Sequence, residues 1–147
     1  MIHEFKVYGE VRGQGRPRIH PSGRSLYKPQ KDREYEQKIK RAYIDSGGQH
    51  FGKAPLAMVV ISHRALPKSR PKRVTHEPDV LKPDASNILK AVEDALNGIA
   101  YDDDRQIVLA TPLKMPRTRL EVDYLDILIT DEFDEMELEE RVRGLVR

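Results

Sequence analysis

The chain has 147 residues, 34% of them charged and 38% hydrophobic, with a formal net charge of +2 and no cysteine. That length suffices for one domain with its own core, and the missing cysteines exclude a disulfide framework, a thiol nucleophile and thiolate zinc sites. No apolar run reaches the length of a membrane span and the N-terminus lacks the apolar core of a secretory signal, so a cytoplasmic protein is expected.

Residues 2–11 set Phe5, Val7, Gly9 and Val11 on one parity, which predicts an opening half-buried strand. Gly13-Gln-Gly-Arg-Pro-Arg18 and then Pro21-Ser-Gly23 interrupt regular structure. Residues 31–45 carry Tyr35, Ile39, Ala42 and Tyr43 at helical spacing, and Gly47-Gly48 supplies the stop. Residues 55–66 are apolar on both parities, with Leu56, Met58 and Val60 alternating with Ala57, Val59 and Ile61, so a strand covered on both faces is expected. Residues 67–83 form a mobile loop rich in proline, lysine and arginine, longer than a connection requires.

A second helix is predicted over 86–96, with Ile88, Leu89, Val92, Ala95 and Leu96 inward and Asn97-Gly98 as its stop. Residues 106–115 and 119–130 read as two strands joined as a hairpin around Pro116-Arg-Thr118. Residues 132–146 read as a charged amphipathic helix whose weak apolar stripe is Phe133, Met136, Leu138, Val142 and Leu145. The expected fold is α+β (mixed α/β): a small mixed or antiparallel sheet flanked by helices, in the order β-α-β-α-β-β, plus a C-terminal helix.

The modest net charge hides two basic stretches, one from Arg12 to Arg41 and one from Arg64 to Arg73, balanced by an acidic tail over 131–140. Attraction to a polyanion follows local charge, so nucleic acid is the partner these stretches suit, with solvated loops as the plain alternative. Asp84 precedes a helix, where it serves either as N-cap or as a ligand, and Ser86 is a second candidate for the cap. Lys90 lies farther along that helix, with Asp94 one turn on as an ordinary salt-bridge partner. Asp102-Asp103-Asp104 follows the helix, either as a polar turn or as a second carboxylate cluster. A helix of about eleven residues spans about 16 Å, so Asp84 and Asp104 share a site only if the chain doubles back. Carboxylates so gathered on a basic protein suit a divalent metal acting on a phosphodiester. The histidines His3, His20, His50, His63 and His76 lack metal-ligand spacing, and the glycines at 13 and 15 do not complete a nucleotide-binding motif, so no nucleotide cofactor is expected.

Three motifs in order resemble the RusA family of Holliday-junction resolvases, small endonucleases often carried by phages and prophages. They are Gly15-Arg-Pro-Arg18 after an opening strand, Lys82-Pro-Asp-x-x-Asn-x-x-Lys90 leading to Asp94-Ala-Leu-Asn-Gly98, and Asp103-Asp-x-Gln106. The resemblance covers most of residues 1–130, read as the nuclease domain, and leaves 131–147 as an acidic helical tail. It implies a homodimer making paired cuts in a four-way DNA junction during recombination or repair, in the cytoplasm at the nucleoid. Mg2+ is the implied metal and Mn2+ its substitute. It implies catalytic roles for Asp84, Lys90, Asp103 and Asp104, with Asp84, Asp104 and Ser86 at the metal. From the basic stretches themselves, DNA contacts are expected at Arg16, Arg18, Arg24, Lys28, Arg70, Lys72 and Arg73, with Asn87 beside them. Where the family reads Asp-x-Asp-Asn, this chain reads Asp84-Ala-Ser-Asn87, which puts a neutral hydroxyl in place of a metal-binding carboxylate. Compensation by Glu77, Asp79 or Asp102 would keep the enzyme active; without it the protein is a weakened or inactive binder of branched DNA.

Overall fold

The computed structural model describes residues 1–146, with only the backbone described at 135, 136 and 138. Its elements are β1 (Ile2–Tyr8), β2 (Arg18–Ile19), β3 (Leu26–Tyr27), α1 (Gln30–Asp45), β4 (Leu56–His63), β5 (His76–Glu77), α2 (Ala85–Leu96), a 3-10 turn (Asp104–Gln106), β6 (Ile107–Lys114), β7 (Arg117–Thr118), β8 (Tyr124–Thr130) and α3 (Glu135–Val146). The main sheet runs β1-β8-β4-β6. β8 is antiparallel to both β1 and β4, whereas β4 and β6 are parallel. The fold is α+β, as the sequence predicts.

β4 is the central strand, and its two parities enter two separate cores. Leu56, Met58 and Val60 join Phe5, Val7, Ile39, Tyr43, Ile88, Val92, Leu96 and Ile127 beneath α1 and α2. Ala57, Val59 and Ile61 join Leu128 on the other face, where Leu109, Leu113, Phe133 and Val142 pack over them. A strand covered on both sides loses the alternation of a half-wet strand and becomes a continuous apolar run. The side chains of Met136 and Leu138, two positions of the stripe expected on α3, lie outside the described residues.

α1 ends in a Schellman arrangement: Gly47 has φ 84°, its N–H donates to Ile44 O (3.0 Å), and Gly48 N–H donates to Tyr43 O (2.9 Å). Gly48 also lies against the Tyr43 ring, with an added Cβ meeting it at 2.5 Å.

The expected hairpin of β6 and β8 does not form. β4 lies between them, and β6 occupies the sheet edge with Leu56 opposite Ile107 and Val60 opposite Pro112. An edge strand tolerates a proline because one side of its ladder is unpaired. The residues read as the hairpin turn instead form β7, which pairs with β5. The loop expected to be mobile is thereby pinned, and Arg119 adds bonds to the carbonyls of Arg70 (3.2 Å), Pro71 (2.8 Å) and Val74 (3.0 Å).

Ile39 is fully buried on α1 and Val108 is exposed on the edge strand. Ile39→Ala is expected to cost about 2–5 kcal/mol in urea unfolding, whereas Val108→Ala changes stability by about 0.5 kcal/mol or less.

Candidate active site

The parallel pairing of β4 and β6 obliges the chain between them to cross one face of the sheet, and α2 is the rigid part of that crossover. Ile88, Ala91, Val92, Ala95 and Leu96 are its buried stripe, which fixes its rotation and leaves Ser86, Asn87 and Lys90 exposed. Asp84 occupies the N-cap position in an extended conformation, but its side chain makes no capping hydrogen bond. Its carbonyl accepts the first helical bond from Ile88 N–H (3.1 Å). Asp84 is exposed, and among the described residues its carboxylate has no ion-pair or hydrogen-bond partner. Ser86 lies inside the first turn and is not the cap.

Past the helix, Asp103 caps the 3-10 turn through a capping box: its side chain accepts from Arg105 N–H (2.9 Å), and Gln106 Oε1 accepts from Asp103 N–H (2.9 Å). The bond from Arg105 N–H holds the Asp103 carboxyl below its ordinary range. Gln106 also donates to the carbonyls of Gly52 (2.8 Å) and Ala54 (3.0 Å). This turn is thereby bolted to the segment that leads into β4, and Asp104 is its first residue. Asp104 Oδ2 lies 3.3 Å from Lys90 Nζ, which also lies 3.2 Å from Asp94 Oδ1. The bond with Asp94, assisted by Asp104, raises the Lys90 ammonium above its ordinary pKa. The plain helical salt bridge and the long-range contact are both present.

Lys90 and Asp104 are thus brought together, while Asp84 begins the same helix about 9 Å along its axis at 1.5 Å per residue. Ser86 precedes Lys90 by one turn and shares its face. Among the described residues, no group of three or more histidine, aspartate or glutamate side chains is arranged to hold a metal ion. The carboxylates expected to compensate for Ser86 are engaged by bases: Asp102 by His50 (3.3 Å), Glu77 by Arg70 (2.9 Å), and Asp79 by Arg64 (3.2 Å) and Lys114 (3.8 Å).

The basic loop before α1 docks on the start of α2. Gly13 packs so closely that an added Cβ would meet Pro83 Cβ at 2.9 Å and Asn87 Cβ at 3.0 Å, and Gln14 N–H donates to Asn87 O (3.0 Å). Arg12 binds Asp32 on α1 (3.0 Å). Arg16, Arg18, Arg24, Lys72 and Arg73 are exposed and, among the described residues, carry no carboxylate partner. Lys28 is paired with Glu36, and Arg70 with Glu77.

Glu93 is a carboxylate that the sequence pattern conceals, since a Glu beside Asp94 reads as a solvated helix face. Burial raises its pKa; Asp104 and Asp94 push the same way and Lys90 opposes them. The folded protein holds this proton more tightly than the unfolded chain, so stability present at low pH is lost as pH rises from the ordinary carboxylate range through the raised value. Glu93→Gln is expected to raise the urea midpoint above that of the native protein at about pH 7, with the gain vanishing near pH 3.5, where both forms are neutral.

Comparison with known proteins gives a family model and a curated relative. The family model described as endodeoxyribonuclease RusA matches residues 9–123. A protein of Bacillus subtilis (strain 168), named as the uncharacterized protein YqaN, is 31% identical over 138 residues, covering 87% of this chain and 95% of its own length. The match spans the docked basic loop, α2 and the Asp103–Gln106 turn, and the chain belongs to the RusA endodeoxyribonuclease family.

Proposed function

We propose that the protein is a metal-dependent, structure-selective endodeoxyribonuclease that cuts four-way DNA junctions as a homodimer. Family membership supports the nuclease activity and the branched-DNA substrate. The observation that carries the site assignment is Asp84, an aspartate at an N-cap position whose carboxylate makes no cap.

The available donors are hard oxygens. Asp84 and Asp104 supply the carboxylates and Ser86 a neutral hydroxyl. Mg2+ is commonly held by one or two carboxylates together with waters and substrate phosphate, so this set fits Mg2+, with Mn2+ as its substitute, without a three-carboxylate cage. When bound, such an ion supplies Lewis acidity at the scissile phosphate. Lys90 donates to the phosphate as negative charge builds on it; its raised pKa keeps it protonated at working pH. Asp103 acts by holding Asp104 through the capped turn. Arg16, Arg18, Arg24, Lys72 and Arg73 contact backbone phosphates, joined by Asn87 at the helix start. Lys28 and Arg70 join them by exchanging a carboxylate partner for a phosphate. Two such sites related by a dyad suit two symmetric strands of a junction. The substrate is DNA of the nucleoid.

A second reading is favoured by the neutral Ser86 and by the absence, among the described residues, of a ready metal cluster: a junction binder with little or no cleavage.

Cleavage of a synthetic four-way junction separates the two. The native protein is expected to make paired nicks only with Mg2+ or Mn2+, and Ser86→Asp is expected to lower the Mg2+ concentration required. Asp104→Asn slows cutting by about 100-fold or more, the scale of one lost charge-stabilising group, while junction binding persists. An inert native protein with an active Ser86→Asp variant establishes the second reading; inertness of both rejects the nuclease. In a salt titration, Arg16→Ala and Arg18→Ala each reduce the slope of log affinity against log salt by about 0.9.

A further inference from the structure

Immediately before Lys82-Pro83-Asp84 the usual arrangement of polar and apolar side chains is inverted. The Asp79 side chain is fully buried, while Val80 is 83% exposed and Leu81 55% exposed. A segment left to the hydrophobic effect alone would bury the two aliphatic residues and solvate the acid. Here the inversion is enforced. Arg64 grips both Asp79 oxygens (3.2 and 3.3 Å), Lys114 lies 3.8 Å from Asp79 Oδ1, and the same two side chains donate to Leu81 O at 3.5 and 2.6 Å. The backbone is pinned on both sides of Val80, so its side chain cannot turn inward.

The outward side chains belong to a groove of about 280 Å³ lined by Arg70, Glu77, Pro78, Val80, Leu81 and Arg117. Its wall is apolar; on its rim Arg70 is paired with Glu77 (2.9 Å) and Arg117 donates to Ala65 O (3.0 Å), so two guanidiniums face one carboxylate and the rim keeps a net positive charge. The neighbouring exposed bases Lys72 and Arg73 extend the positive charge. An apolar surface bordered by guanidinium groups matches a nucleotide whose base has left the stack: the base meets aliphatic surface and its phosphates meet arginine. A four-way junction offers such bases at its branch point, where stacking is interrupted.

We propose that the Pro78–Leu81 groove receives an unstacked base at the branch point of the DNA, with the Arg64–Asp79–Lys114 cluster presenting Val80 and Leu81 to it. The proposal rests on the nuclease reading of the adjacent Asp84 and assigns to this groove the discrimination of branched from linear DNA. Phosphate contacts position the molecule without distinguishing the two.

The test uses a synthetic junction carrying 2-aminopurine at the branch point, without divalent cation, and the double variant Val80→Ser/Leu81→Ser, whose sites are exposed and outside the core. Native protein is expected to increase 2-aminopurine fluorescence as the base unstacks; the variant is not. Junction affinity falls roughly 10-fold in the variant, the scale of lost burial of an aliphatic side chain, and duplex affinity is unchanged. Fluorescence that rises equally with both proteins overturns the proposal, as does a parallel loss of junction and duplex affinity. A variant that shifts from dimer to monomer in sedimentation also overturns it, marking the groove as a contact between copies. Mg2+-dependent cutting of the same junction reports separately on the nuclease reading, so cutting without any fluorescence change rejects the groove alone.

Discussion

The parallel pairing of β4 with β6 is the constraint from which the rest follows. Antiparallel neighbours can be joined at one end of a sheet, but a parallel neighbour must be entered from the end opposite to that by which the first strand leaves. The chain therefore spends residues 64–106 travelling from the end of β4 back to the start of β6. Almost every residue with chemical potential lies on that return path: Asp79 and Asp84 before α2, Lys90 and Asp94 on it, Asp103 and Asp104 after it. α2 is oriented by burial of one stripe against the sheet, so the exposed strip is set by the core. Lys90 then ties the returning chain to the helix through Asp104, which closes the path on itself.

Serine at position 86 changes the electrostatics of that strip in a definite way. An aspartate there would stand one turn before Lys90, the favourable order for a helical ion pair, and would compete with Asp94 and Asp104 for the same ammonium. Serine removes this competitor, and among the described residues Lys90 is shared between Asp94 and Asp104. The substitution thus weakens the negative field available to a cation while leaving Lys90 anchored beside Asp104. Glu93 sits half-buried beside the same groups; burial raises its pKa, with Lys90 opposing and Asp104 and Asp94 adding smaller upward pushes.

The core was legible because its signals are local. β4 reads as two interleaved apolar sets, and those sets enter two distinct cores. The periodicity of α1 and α2 gives their buried stripes directly. The sheet order was not legible: two strands separated by a short proline-containing turn look like a hairpin, and nothing in them shows that β4 comes between. β5 and β7 are two-residue strands, too short to carry a period. The burial of Asp79 depends on Arg64 and Lys114, distant in sequence, so an isolated Asp in a proline-rich loop gave no sign of it. Asp103 could have been recognised, since Asp three residues before Gln is a capping-box spacing; the acidic triplet drew attention to charge instead. At the candidate site, Lys90 and Asp104 were named from sequence and lie in contact, whereas Glu93 carried no distinguishing signal.

The acidic tail and the basic loop that begins at Arg12 lie on opposite sides of the sheet, and this separation gives the small net charge its physical meaning. The loop from Gly13 onward docks on α2, and Arg12 binds α1, all on the face of the first core. α3 follows β8 onto the other face, where Phe133 and Val142 pack on the second core and Arg141 reaches Glu4 (3.8 Å). The tail is anchored there by Asp131 and Glu132 bound to the N-terminal ammonium of Met1 (2.6 and 2.7 Å). A helix packed on a sheet stands about 10 Å from it, and a second helix layer doubles that span, which exceeds the Debye length of about 8–10 Å at physiological salt. The carboxylates of α3 therefore screen the loop arginines only weakly. A net charge of +2 is therefore a sum over two surfaces that act almost independently, and the exposed Arg16, Arg18 and Arg24 keep their local positive field whatever the tail carries.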